Sequence, residues 1–256
     1  MRTKIVAGNW KMNTTAADAH VLATGIRSGV EHIERIETII CPPSIWLGVL
    51  AHGVIQRGQY PHLHLGAQNM YFQETGAYTG EISPLMVKEV AKYVIVGHSE
   101  RTHIFREDEE LINHKVQAAF AHDITPILCV GEEEQSATSK ETVIRELKKL
   151  IDGLELADVK KLVVAYEPVW AVGTGKAATP AYAEDVIVHL RTILPEETRV
   201  LYGGSVTEEN ARGFLALPDC DGFLIGGTSL KLKPFLTVCQ YADDAAQAGG
   251  HRSLHN

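Results

Sequence analysis

Glu167 ends a short apolar run, Leu162-Val163-Val164-Ala165-Tyr166, and is followed by Pro168, the bulky pair Val169-Trp170 and a Gly-Thr-Gly at 173–175. Pro168 turns the residue before it away from helix, so the run reads as a strand that delivers one extended carboxylate to the mouth of a site. Such a group is suited to taking a proton from a substrate. The residues behind it read as a lid: Pro168, Val169, Trp170, Gly173, Thr174, Gly175, Lys176, Ala177 and Ala178. Its glycines are free to turn backbone N–H groups onto an anion. Thr179-Pro180 then reads as the N-cap and first residue of a helix. Taken alone, a glutamate in this setting is most often a solvated turn residue. The segment GTGKAA is not a nucleotide loop, since that pattern needs glycine where Trp170 stands and a hydroxyl where Ala177 stands.

Other reactive groups stand at the ends of other apolar runs. Asn9 and Lys11 follow the first, Gln68 and Asn69 the third, and His98, Ser99 and Glu100 the fourth. Gly203-Gly204-Ser205 follows the seventh and Gly226-Gly227 the last. Individually, a lysine is usually a solvated charge and a histidine a structural hydrogen-bonding residue. Together they make one base, one imidazole, one fixed cation and two glycine turns whose N–H groups, with the Ser205 hydroxyl, suit a phosphate. His62, His64, His251 and His255 lack the carboxylate or cysteine partners of a zinc site, so no metal is assigned.

The elements that must position these groups are legible as eight short β-branched runs, at 4–8, 38–41, 63–67, 93–97, 126–130, 162–166, 199–202 and 222–225. They are continuously apolar, as in strands covered on both faces of a parallel sheet. Helical patterns lie between most pairs, at 14–33 and 109–121, and Thr138-x-x-Glu141 reads as a capping box opening a further one. Strands alternating with helices at steps of roughly thirty residues predict an α/β (β/α)8 barrel, the TIM barrel architecture. An open doubly wound sheet would announce itself with GxGxxG after the first strand, where Asn9-Trp10-Lys11 stands instead. With no linker or composition shift, residues 1–256 read as a single domain, and the small polar stretch 243–256 as a frayed tail.

Composition narrows the function. The 256 residues are 45% hydrophobic and 22% charged, an ordinary globular balance, and no apolar run approaches the ~18 residues of a membrane span. The expectation is a soluble, cytoplasmic protein with no membrane partner. Four scattered cysteines without a CxxC read as reduced, buried thiols. A net charge of −8 argues against nucleic acid and leaves room for an anionic small molecule only where the site itself supplies positive charge.

GNWKMN (8–13), VGHSERT (96–102), CVGE (129–132), AYEPVWAVGTGK (165–176), YGGSV (202–206) and GFLIGGTSLK (222–231) resemble, in order, the motifs of the triosephosphate isomerase family. The resemblance spans nearly the whole chain. It implies that Glu167 moves a proton between adjacent carbons of a triose phosphate, that a neutral His98 polarises the carbonyl, and that Lys11 supplies charge assisted by Asn9. Gly173, Ser205, Gly226 and Gly227 would hold the phosphate, and no cofactor is implied. Ser99, Glu100, Glu132 and Tyr202 would support the site, with Trp170 near Glu132 in an open lid and Tyr202 near Ala178 in a closed one. The loop 68–81, rich in aromatics, would reach into the second subunit of a homodimer. Departures from the family fall at Glu133-Glu134-Gln135-Ser136-Ala137, Thr102, Ala177 and Thr228. A related ketose phosphate such as an erythrulose phosphate is the neighbouring substrate, and a non-catalytic phosphosugar-binding barrel the alternative of another class.

Overall fold

The eight apolar runs become eight strands: β1 (Lys4–Asn9), β2 (Ile36–Cys41), β3 (Leu63–Ala67), β4 (Tyr93–Val96), β5 (Thr125–Val130), β6 (Val163–Tyr166), β7 (Arg199–Tyr202) and β8 (Gly222–Ile225). The computed structural model describes residues 2–55, 59–171 and 177–252. Each strand pairs in parallel with the next, and β1 closes on β8 with Ile5 against Gly222 and Gly8 against Ile225. A closed barrel leaves no unpaired edge. Alternate residues divide two cores. Ile5, Ala7, Ile39, Cys41, Ile127, Cys129, Ala165 and Leu201 fill the barrel. Val6, Ile40, Val94, Val164 and Val200 face the surrounding helices, which is why the runs read as continuously apolar.

The helices are α1 (Ala16–Gly29), α2 (Ser44–Gly53), α3 (Pro84–Val90), α4 (Ser99–His103), α5 (Glu109–Ala121), α6 (Ser139–Leu150), α7 (Leu156–Lys161), α8 (Pro180–Arg191), α9 (Ala211–Leu215) and α10 (Leu232–Arg252). The predicted cap at Thr179 forms, its hydroxyl accepting from Tyr182 N–H at 3.2 Å, with Pro180 in the first turn. Such caps contribute about 1 kcal/mol each. The predicted capping box at Thr138 does not form. Thr138 precedes α6 with φ −105° and ψ 10°, not extended as a cap requires, and its side chain caps nothing. Ser139 closes that turn instead, accepting from Ser136 N–H at 2.9 Å and donating to the Glu134 carbonyl at 3.2 Å. Among the described residues, the one complete capping box is at Thr15 and Asp18, before α1.

The stretch from 243 onward is helical through Arg252, as the last part of α10, so the expected frayed tail is corrected over 243–252. Its small, polar composition hides a long-range anchor. Asp243 is buried and accepts from the Arg35 backbone N–H at 2.9 Å and from the Arg35 guanidinium at 2.6 Å. At the N-terminal mouth of the barrel, Glu37 bonds Tyr93 and pairs with Lys92 and Arg199. Burial alone would raise its carboxyl, but bonds from His64 and Tyr93 and those two cations hold it far below the usual range. All four cysteines are free and buried.

Candidate active site

Glu167 follows β6 directly and is almost fully buried, at 2% exposure. Its backbone N–H donates to the Val130 carbonyl at 2.8 Å, extending the β5–β6 ladder one residue past the strand. Two glycines give it room. A Cβ on Gly131 would stand 1.7 Å from the Glu167 carbonyl oxygen, and one on Gly203 would stand 2.7 Å from Glu167 Cγ. The carboxylate is held at Oε2, which accepts from Ser99 N–H at 3.2 Å, and its Oε1 lies 3.3 Å from His98 Nε2. Burial foremost, and then the Glu167 charge beside it, pushes the Cys129 thiol well above its ordinary range.

His98 leaves β4 as the N-cap of α4, and its Nδ1 accepts from Glu100 N–H at 3.2 Å. A ring nitrogen that accepts an amide proton carries none itself, so the geometry assigns the neutral tautomer with hydrogen on Nε2, facing Glu167. Glu100 Oε2 stands 3.7 Å from Nδ1, beyond hydrogen-bonding reach. The Glu100 carboxylate is engaged elsewhere, by Lys11 Nζ at 2.6 Å.

Lys11 adopts φ 54°, a left-handed conformation that costs a non-glycine residue about 1–3 kcal/mol and persists only when its surroundings fix it. Here Asn9 Oδ1 accepts the Lys11 N–H at 3.0 Å, and Gln68 Nε2 donates to the Lys11 carbonyl and to the Cys41 carbonyl, both at 2.9 Å. The ammonium is thereby led to Glu100 and past Gly226, where an added Cβ would touch Lys11 Cε at 3.2 Å. Asn9, Lys11, His98 and Glu100 line one face of a cavity of about 340 Å³.

The glycine turns close the same rim. Gly226 and Gly227 lead from β8 into a single 3-10 turn, and the space at Gly227 is open. The departure at Thr228 has a local reason: its hydroxyl donates to the Val206 carbonyl at 2.6 Å, tying the β8 turn to the β7 turn. Ser205 donates to the Ala171 carbonyl at 3.3 Å, touching the near end of the lid segment. Gly173, Thr174, Gly175 and Lys176 lie outside the described residues. Nothing in the structure explains Ala177.

Pro168 is buried, and residues 169–171 form one 3-10 turn held by Val169 N–H to the Glu132 carbonyl at 3.0 Å. Trp170 Nε1 donates to Glu132 Oε1 at 2.9 Å, while Ala178 N–H donates to the Tyr202 hydroxyl at 3.1 Å. The two pairs expected in alternate lid states therefore coexist, one at each end of the segment. Gly204 is what lets Tyr202 reach, because a Cβ there would stand 2.2 Å from its hydroxyl.

The structure thus brings together His98, Ser99, Glu100, Lys11, Asn9 and Glu167, and places Ser205, Gly226 and Gly227 on the neighbouring turns. Sequence reading passed over the roles of Gln68 and Gly131, and of Tyr166 and Tyr182, whose hydroxyls both donate to Glu132 Oε1. For Gly131 the signal was present in CVGE, a glycine beside an acid at a strand end; the tyrosines carry no local signal. Among the described residues no group of three or more His, Cys, Asp or Glu is arranged to hold a metal.

A sequence profile of the family described as Triosephosphate isomerase matches residues 4–242. Two proteins named Triosephosphate isomerase, from two strains of Dehalococcoides mccartyi, are each 44% identical over 253 residues, covering 94% of this chain and 97% of theirs. A third, from another strain, is 42% identical over 255 residues, 95% of this chain and 99% of its own. With that match running from β1 into α10, the chain belongs to the triosephosphate isomerase family.

Proposed function

We propose that this protein interconverts dihydroxyacetone phosphate and D-glyceraldehyde 3-phosphate through an enediolate, with no cofactor. The observation that carries the reading is the buried contact between the Glu167 carboxylate and Nε2 of a histidine whose other nitrogen accepts an amide. A carboxylate base and a neutral N–H donor are what a proton shift beside a carbonyl needs. Glu167 takes the proton from one carbon and returns it to the next. His98 Nε2–H bonds the oxygen on which charge develops, without an imidazolium that would surrender its proton outright.

Lys11, fixed by Asn9 and Gln68, supplies positive potential that a chain of net charge −8 lacks overall. Ser205 and the N–H groups of Gly173, Gly226 and Gly227 bind the phosphate. Pro168 through Ala178 act as the lid, whose exclusion of water strengthens these interactions. A coupled assay offering three-carbon and four-carbon ketose phosphates tests the reading directly. Turnover of the three-carbon pair is expected, and Glu167→Gln should lower kcat on the order of a thousandfold while leaving phosphate binding nearly intact. Turnover of only the four-carbon sugar, or a variant within tenfold of wild type, would overturn it.

We also infer a cytoplasmic homodimer. Among the described residues no helix is long and apolar enough to cross a membrane. Met12, 96% exposed beside Lys11, lines the same cavity as the exposed Phe105, and Ile45 and Met86 are also exposed, apolar side chains of the kind that a partner covers. Loop 68–81 is built to project: Tyr71 N–H bonds the Ile82 carbonyl at its base, and Tyr71 packs on Phe72 and Tyr78.

A further inference from the structure

Across the seam between β7 and β8 only Tyr202 and Phe223 stand in register, whereas β1 and β2 pair along their whole length, from Lys4 against Ile36 to Asn9 against Cys41. The two ends of this short seam are tied separately. At the N-terminal end, Asp221 Oδ2 accepts from Val200 N–H at 2.8 Å, and Asp221 N–H donates to the Val200 carbonyl at 2.7 Å. At the C-terminal rim the tie is Thr228, whose hydroxyl donates to the Val206 carbonyl at 2.6 Å. Among the described residues no other hydrogen bond joins 203–207 to 226–230.

Each turn is fixed within itself. Asn210 Nδ2 donates to the Ser205 carbonyl at 3.0 Å while its Oδ1 accepts from Thr207 N–H at 2.9 Å, which closes the β7 turn. In the β8 turn the Gly226 carbonyl accepts from Ser229 N–H at 2.9 Å and from the Ser229 hydroxyl at 2.6 Å. What is left to vary is the distance between the turns. Both present donors, since the backbone N–H groups of Ser205, Gly226 and Gly227 have no acceptor among the described residues.

We infer that the Thr228 hydroxyl is the positioning group that sets the spacing of these donors, and through it the affinity for the substrate's phosphate, without touching the phosphate itself. One phosphate takes donors from both turns at once, so turns that drift apart lengthen and weaken those bonds together. A β-branched side chain is stiff at χ1, which holds the hydroxyl on its carbonyl. Val206 is buried, so losing that donor leaves its carbonyl poorly compensated by water. The inference rests on the reading of Ser205, Gly226 and Gly227 as the phosphate-binding groups. Because substrate, enediolate and product all carry the phosphate, the effect belongs to KM and not to kcat.

Thr228→Val keeps the branched shape and removes the donor, while Thr228→Ser keeps the donor. KM for the triose phosphate, and the dissociation constant of inorganic phosphate followed by phosphorus NMR, should each rise about threefold to tenfold in T228V, the range of one hydrogen bond, with kcat within about twofold of wild type. T228S should stay within about twofold by every measure. A purely structural loss would lower Tm and the folded fraction while leaving KM and the phosphate constant of the folded protein unmoved. Should T228V fold poorly, Thr228→Ala removes the same bond with less bulk. Constants that stay near wild type in T228V, a fall in kcat with KM unmoved, or a T228S as weak as T228V would overturn the inference while leaving the function standing. A wild type that neither turns over triose phosphate nor binds inorganic phosphate would instead remove the function, and this inference with it.

Discussion

Glu167 owes its position to groups that are not there. Gly131 and Gly203 leave it the space that any side chain would occupy, with contacts of 1.7 Å to its carbonyl oxygen and 2.7 Å to Cγ otherwise in the way. Gly203→Ala therefore tests positioning without touching a reacting atom. The added methyl should swing the carboxylate off His98 Nε2 and lower kcat about a hundredfold, with Tm nearly unchanged, since a displacement of about 1 Å at a reacting group has that effect. Steady-state kinetics beside a thermal melt measures both, and a variant with wild-type kcat would show that the carboxylate has slack. The charged and imidazole groups were legible in the sequence because each ends an apolar run. Gly203 was legible only as a turn and Gly131 only as part of CVGE, because close approach of β5 to β6 and of β6 to β7 is a tertiary fact. Gln68, likewise, shows its hold on Lys11 only when β1 and β3 are brought to one rim.

At the scale of elements, the segment between β5 and α6 carries more of the site than its irregular sequence suggests. It departs from the family at 133–137, and its turn is closed by Ser139 while Thr138 caps nothing, because local spacing does not reveal which backbone turns extended. Its first residue, Gly131, donates to Glu146 Oε2 at 3.1 Å, so α6 grips the start of the loop that holds Glu132. Burial, with Glu109, Glu167 and Glu132 adding like charge, pushes Glu146 up to about 7, against the bond from Gly131. A carboxyl raised in the fold favours folding fully below its ordinary value of 4.5 and loses that advantage as pH climbs through about 7. Glu146→Gln, always neutral and still able to accept from Gly131, should therefore be more stable than wild type, by a margin that widens by about 2 kcal/mol between pH 5 and pH 8. Urea unfolding at the two pH values gives the margin, and one that does not change with pH would mean that Glu146 is not the titrating group.

Across the whole molecule, the barrel was readable from eight apolar runs, whereas the end of α10 was not, because Arg35 and Asp243 meet only once β2 and α10 are packed. The proposed homodimer extends the same logic. Thr79 is exposed at the tip of loop 68–81, and Thr79→Arg should yield a folded monomer whose activity falls by at least about a hundredfold, because the apolar surface beside Lys11 then lacks its cover. Sedimentation with activity on the same sample decides it, and a fully active monomer would refute the dimer. The pairing of Ile5 with Gly222 has a consequence in time. On the ribosome, β1 emerges with no eighth strand to receive it, and at roughly 5–20 residues per second it waits on the order of ten to fifty seconds. Throughout that interval its outer edge is open and apolar on both faces, the condition under which nascent chains associate. Gly222 is then the last stitch, at φ 132°, where a Cβ would stand 1.9 Å from the Ile5 carbonyl oxygen. A substitution there would act during synthesis, as chaperone dependence and lost yield, before it could be felt at the distant catalytic rim.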